Sequence, residues 1–72
     1  MERKRLRDKR LTLGLTQQQV ADLIEVDRTF YVRIENGQKG CKMETWLKIA
    51  DVLHIPENEL IPYITEGIKK GA

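Results

Sequence analysis

The chain has 72 residues, of which a third are charged and two fifths hydrophobic, so we expect one small domain with a modest core. The sequence has no apolar run long enough to span a membrane and no apolar secretory signal near its charged N-terminus. One cysteine and one histidine form neither a disulfide framework nor a metal-ligand set. We therefore expect a cytoplasmic, helix-packed protein that uses no metal or cofactor.

Positive charge is concentrated at the N-terminal end of the chain. Residues 1–10 carry a net charge of +4, while the remainder carries −2. This asymmetry suits a polyanionic partner, but it is equally typical of a solvated helix face. The basic side chains concerned are Arg3, Lys4, Arg5, Arg7, Lys9 and Arg10.

Two helices are predicted in the first third of the chain. The first covers residues 3–13, and Gly14 fits the C-cap position, where a positive φ is needed. Thr16 is a good N-cap for a second helix that runs to about residue 24. The apolar side of this second helix consists of Val20, Leu23 and Ile24.

A third helix is predicted over residues 28–36, with Asp27 as its N-cap and Gly37 closing it. The gap after the second helix is only about three residues long. So short a connection forces a sharp angle between the two helices, as in a helix-turn-helix.

A fourth helix is predicted over residues 43–53, with Trp46 in its apolar stripe and therefore in the core. Pro56 is a natural first-turn residue, which predicts a fifth helix over residues 56–61. Pro62 is expected to end or kink this helix.

The third helix has two faces of different chemistry. Tyr31 and Ile34 are predicted to point inward against the second helix. We call the opposite face the outer stripe; it consists of Arg28, Thr29, Val32, Arg33 and Asn36. Arginine reads guanine and a small apolar side chain meets the thymine methyl group, so the outer stripe has the chemistry that reads DNA base edges.

Three segments, "GLTQQQVADLIEV" (14–26), "RIENG" (33–37) and "ETWLKIADVL" (44–53), together resemble the Cro/phage-repressor (XRE-type) helix-turn-helix family. The resemblance extends over residues 6–60. It implies an all-α fold, a five-helix lambda-repressor-like DNA-binding domain with a helix-turn-helix.

The resemblance also implies roles for individual residues. Gln17 would contact phosphate, and the region from Asn36 into the following loop would approach the DNA backbone. The residues that would face the major groove are Arg28, Thr29 and Arg33. Lys39 and Lys42 are either solvated loop charges or phosphate contacts. The expected DNA-binding residues are Gln17, Gln18, Arg28, Thr29, Val32, Arg33, Asn36 and Lys39.

Some expected features are structural rather than functional. The family pairs an arginine of the first helix with the glutamate of its "ENG" turn, which here are Arg10 and Glu35. The chain departs from the family at Glu25 and His54, where glycine is usual, so we expect strain at Glu25 or a slightly different turn there. Phe30 is expected to be partly buried rather than an exposed contact to DNA.

Cys41 has two readings. It is either an incidental loop thiol or an oxidant sensor whose pKa is lowered by Lys39 and Lys42.

These patterns predict a non-enzymatic, sequence-specific transcriptional regulator, a repressor, that binds a palindromic operator as a homodimer. The alternative is an antitoxin or anti-repressor whose main partner is another protein, with DNA binding for autoregulation. Residues 1–62 would form the DNA-binding domain, and the tail 63–72 would join the fifth helix in the dimer interface. The apolar residues assigned to this interface, because they exceed what so small a core can bury, are Ile55, Leu60, Ile61, Tyr63, Ile64 and Ile68. The alternative is that some of them cover Trp46 within the monomer and the rest fray.

Overall fold

The computed structural model describes residues 2–66, which form five α-helices and a short 3₁₀ turn and contain no strand. The predicted all-α class is therefore confirmed for this part of the chain. The helices are α1 (Lys4–Thr12), α2 (Gln17–Leu23), α3 (Arg28–Glu35), α4 (Met43–Val52) and α5 (Leu60–Glu66), and the 3₁₀ turn (Glu57–Glu59) directly precedes α5.

The start of α2 is fixed by a reciprocal cap. The Thr16 hydroxyl accepts a hydrogen bond from the backbone N–H of Gln19 at 3.0 Å, and the Gln19 side chain accepts one from the backbone N–H of Thr16 at 2.8 Å. Gly14, just before it, has the predicted positive φ of 72°. Asp27 occupies the N-cap position of α3, but its side chain makes no capping hydrogen bond.

A tight turn joins α2 to α3, and the two helices pack closely against each other. The backbone N–H of Val26 closes α2 on the carbonyl oxygen of Ala21 at 2.9 Å. In the turn between the two helices, Glu25 has a φ of 62°, a left-handed conformation that costs free energy for any residue except glycine. The sharp helix-turn-helix angle that the sequence predicts is thus made through a strained residue.

The core lies where α1, α2, α3 and α4 converge. Tyr31 and Ile34 of α3 are completely buried, as predicted from their spacing, and Trp46 is only 2% exposed. The core residues are Leu6, Val20, Ala21, Ile24, Tyr31, Ile34, Trp46, Ile49, Ala50, Leu53, Ile55 and Leu60. The orientation of α3 follows from this packing, because its inner face is held by the core.

The prediction for the fifth helix was wrong in its bounds. α5 begins at Leu60, and Pro62 lies in its first turn instead of ending it. Proline is tolerated there because the first N–H groups of a helix have no intrahelical acceptor.

The apolar residues around α5 are used mainly within the monomer. Ile55 and Leu60 are buried in the core, and Tyr63 and Ile64 pack partly against it. The expectation that these residues exceed what the core holds was therefore wrong for them. Ile61 alone of the assigned residues within the described range is largely exposed, at 58%, and Ile68 lies outside that range.

Candidate nucleic-acid interface

The outer stripe of α3 is open to solvent. Arg28, Thr29, Arg33 and Asn36 are exposed and Val32 is half-buried, whereas the opposite face of the helix is in the core. Neither arginine of the outer stripe forms an ion pair with a carboxylate of residues 2–66. Both guanidinium groups are therefore available to an external acceptor.

Residues from the N-terminal end of α2 lie beside the outer stripe. Gln17, Gln18 and Arg28 line one open depression of about 500 Å³, together with residues of the α1–α2 connection. The exposed Gln18 side chain donates a hydrogen bond to the Asp22 carboxylate at 2.8 Å. The structure thus brings together side chains of α2 and α3 that the sequence assigned separately to DNA.

An ion pair joins α1 to α3 behind this surface. Arg10 donates from Nε to Glu35 Oε2 at 2.8 Å and from Nη2 to Oε1 at 3.0 Å, and both side chains are buried. A third donor, Arg10 Nη1, binds the carbonyl oxygen of Leu15 at 2.8 Å. The hydrogen bonds with Glu35 raise the pKa of Arg10, so the charged form is favoured.

The same carboxylate also holds Gln17. The Gln17 side chain donates from Nε2 to Glu35 Oε1 at 3.1 Å, so the expected phosphate contact is tied to the buried ion pair. The Tyr31 hydroxyl lies in this region without a hydrogen-bond partner among the described residues. Burial raises the pKa of Tyr31, and the neighbouring Glu35 carboxylate raises it further, so the phenol stays neutral.

The loop after α3 carries a lysine that is held over an aromatic ring. The Lys39 ammonium lies 4.2 Å from the centroid of the Phe30 ring, and the Lys39 residue as a whole is exposed. Phe30 is half-buried against the core, as expected. The position of the Lys39 charge is thereby linked to α3.

The sequence left open whether the basic segment that includes Arg3 meets a polyanion or is a solvated helix face, and for Arg3 the structure contradicts both possibilities. Its side chain is buried, with only 4% of the residue exposed, and its guanidinium carbon lies 5.0 Å from the Trp46 ring centroid. The guanidinium donates to the carbonyl oxygens of Ile34 at 2.6 Å, Lys39 at 2.9 Å and Ile64 at 3.2 Å. Burial lowers the pKa of Arg3.

Two further basic residues of the N-terminal segment are paired with carboxylates of the same chain. Arg10 is buried in its ion pair, and Arg7 pairs with Glu2. Lys4 and Arg5 remain exposed. The charge available to a polyanion at this end is therefore much smaller than the sequence suggests.

Cys41 lacks the activation that a sensor requires. Burial raises the pKa of the Cys41 thiol to about 11, although Arg3 and Lys39 act in the opposite direction. Because burial outweighs the lowering of the pKa by Lys39, the thiol is protonated at neutral pH.

No helix of residues 2–66 is long and apolar enough to cross a membrane, and no cluster of potential ligands in this range is arranged to hold a metal ion.

The sequence matches the helix-turn-helix family over residues 6–60. It is 40% identical over 58 residues to the cryptic phage CTXphi transcriptional repressor RstR of Vibrio cholerae serotype O1. This match covers 81% of the chain but 52% of the repressor, so the chain spans about half the length of that relative. No solved structure matches the chain significantly.

The chain belongs to the Cro/phage-repressor (XRE-type) helix-turn-helix family. This is a family of DNA-binding transcriptional regulators and not of enzymes. The five helices and the α2–turn–α3 unit described above are the lambda-repressor-like domain that the sequence motifs predicted.

Proposed function

We propose that this chain is a transcriptional repressor that binds a palindromic operator as a homodimer, with α3 in the major groove and α2 across the backbone. The observation that carries the proposal is that Arg28 and Arg33 are exposed and have no ion-pair partner within residues 2–66, on a helix whose other face is buried in the core. The similarity to a protein named as a transcriptional repressor favours repression. Such a regulator works where the DNA lies, in the cytoplasm.

The contacts divide into two kinds. Arg28, Thr29, Val32 and Arg33 read base edges, since their functional groups suit guanine acceptors and the thymine methyl group. Backbone contacts position the domain without reading sequence. The residues proposed for these backbone contacts are Gln17, Gln18, Asn36 and Lys39.

A dimer is expected because α3 has only 8 residues, so one copy contacts too few base pairs to bind specifically. Two copies on half-sites about one helical turn apart supply the missing specificity. We place the interface on α5 and the tail that follows it, because Ile61 is 58% exposed on the outside of α5.

The operator is found by selecting bound sites from random DNA with the purified chain. The proposal predicts a two-fold symmetric sequence with half-site centres about 10 base pairs apart. Recovery of no preferred sequence at moderate salt would refute it.

Sedimentation equilibrium tests the interface. Ile61→Asp is expected to raise the dimer dissociation constant at least about tenfold, because it places a charge in an apolar contact. Leu23→Asp is the matched control, since Leu23 is 60% exposed on a different helix. Equal effects of the two substitutions, or a wild-type chain that stays monomeric at high concentration, would remove α5 from the interface.

A further inference from the structure

We propose that Arg3 is a positioning residue that holds the loop after α3, residues 38–42, in the conformation that meets DNA. The inference rests on the proposed function, since it assigns Arg3 a part in DNA binding without any contact to DNA. The residue is only 4% exposed, so its guanidinium is not a phosphate ligand.

Arg3 joins three parts of the chain that each lie far from it in sequence. Its Nη1 donates to the carbonyl oxygens of Ile34 in α3 and Lys39 in the loop, while Nε and Nη2 both donate to that of Ile64 in α5. Its own backbone N–H donates to the carbonyl oxygen of Glu35 at 2.8 Å. The planar guanidinium group of Arg3 thus fixes the C-terminal end of α3, the loop and α5 relative to one another.

The positive charge of Arg3 lies at the C-terminal end of α3, where it is electrostatically favourable. The last carbonyl groups of a helix have no intrahelical donor and carry partial negative charge, which a cation stabilises. Ile34 and Glu35 lie in the last turn of α3. Arg3 therefore closes α3 and orders the loop with the same hydrogen bonds.

Lys39 is held at two points. Its carbonyl oxygen accepts from Arg3 at 2.9 Å, and its ammonium group lies 4.2 Å from the centroid of the Phe30 ring. Phe30 belongs to α3. The charge is thus placed relative to the outer stripe before DNA arrives, which lowers the ordering cost of binding.

The test is a double-mutant cycle on affinity for the selected operator. Arg3→Met is expected to weaken binding at least about threefold, and to have little further effect when Lys39→Ala is already present. The control Arg5→Met removes the same charge from an exposed side chain and is expected to have a smaller effect. Additive losses for Arg3→Met and Lys39→Ala would overturn the proposal.

A second measurement uses the free protein. Backbone ¹⁵N order parameters of residues 38–42 are expected to fall in both Arg3→Met and Arg3→Lys. Methionine removes the donors, and lysine keeps the charge but lacks the planar guanidinium group that reaches three carbonyl oxygens at once. They are expected to stay unchanged in Arg5→Met. All variants are compared at a temperature where circular dichroism shows them folded, and Arg3→Lys carries the test if Arg3→Met does not fold.

The outcomes separate the two claims. Unchanged order parameters in a folded Arg3 variant would overturn the role of Arg3 whatever the chain binds. A wild-type chain with an ordered loop and no preference for any DNA sequence would instead overturn the proposed function.

Discussion

Arg10 of α1 and Glu35 of α3 are joined inside the protein by two parallel hydrogen bonds of 2.8 and 3.0 Å. The fork-to-fork geometry fixes the rotation of α3 about its own axis as well as its distance from α1. Because Glu35 also accepts from Gln17, the ion pair connects the interior with the surface proposed to meet DNA. The pair is thus part of the frame that orients α2 and α3 together.

Breaking this pair on one side is expected to destabilise the fold strongly. Arg10→Met leaves the Glu35 carboxylate buried without its cation, which lowers the free energy of unfolding by about 3–5 kcal/mol. The double variant Arg10→Met/Glu35→Leu removes both charges and is expected to regain much of that loss. Urea unfolding measures both, and a double variant less stable than Arg10→Met would contradict this account.

Gln17→Ala is expected to weaken binding to all DNA sequences to a similar extent. The side chain is assigned to phosphate, which carries no base information. Loss of its hydrogen bond with Glu35 is also expected to cost about 1 kcal/mol of folding stability. Fluorescence anisotropy with the operator and with an unrelated duplex checks the first point, and a loss confined to the operator would speak against the phosphate role.

Replacing the two non-glycine residues that have a left-handed backbone conformation by glycine is expected to stabilise the fold. Glu25 and His54 have φ values of 62° and 58°, which glycine adopts without strain. Glu25→Gly and His54→Gly are each expected to raise the free energy of unfolding by about 0.5–1 kcal/mol, part of the gain being offset by the greater freedom of glycine in the unfolded chain. Lys48→Gly, in the middle of α4, is the control and is expected to cost about 1 kcal/mol. Destabilisation at both left-handed positions would show that the turns are not strained.

Cys41 is expected to react slowly with iodoacetamide in the folded protein. Its pKa is raised to about 11, so the thiolate forms only as the pH rises toward that value. The alkylation rate at pH 8 should be at least about tenfold lower than in the urea-unfolded chain. Folded protein that reacts as fast as unfolded protein would contradict the structure at this position.

Most of the fold is readable from local sequence signals. The cap at Thr16 and the glycines at 14 and 37 marked helix ends correctly because caps depend on neighbouring residues. The inward face of α3 followed from the spacing of Tyr31 and Ile34. Pro62 was misread because the start of α5 lies four residues later than predicted, which moves the proline into the first turn.

Arg3 is the main feature that sequence reasoning missed. Its partners at residues 34, 39 and 64 are brought together only by the tertiary fold, and their carbonyl groups leave no trace in side-chain chemistry. Its place among five other basic residues made it look like one solvated charge of several. The burial of Ile55 and Leu60 was missed for a similar reason, since the share of apolar residues that one core accepts depends on packing.

The central claim is that Arg28, Thr29, Val32 and Arg33 of α3 read bases. It is tested most directly by repeating the random-DNA selection with Arg28→Ala and Arg33→Ala beside the wild-type chain. Each substitution is expected to relax the preference at a particular position of the half-site and to cost about 1–3 kcal/mol of specific binding, while the rest of the site is kept. Recovery of the wild-type operator with undiminished preference by both variants would contradict the account.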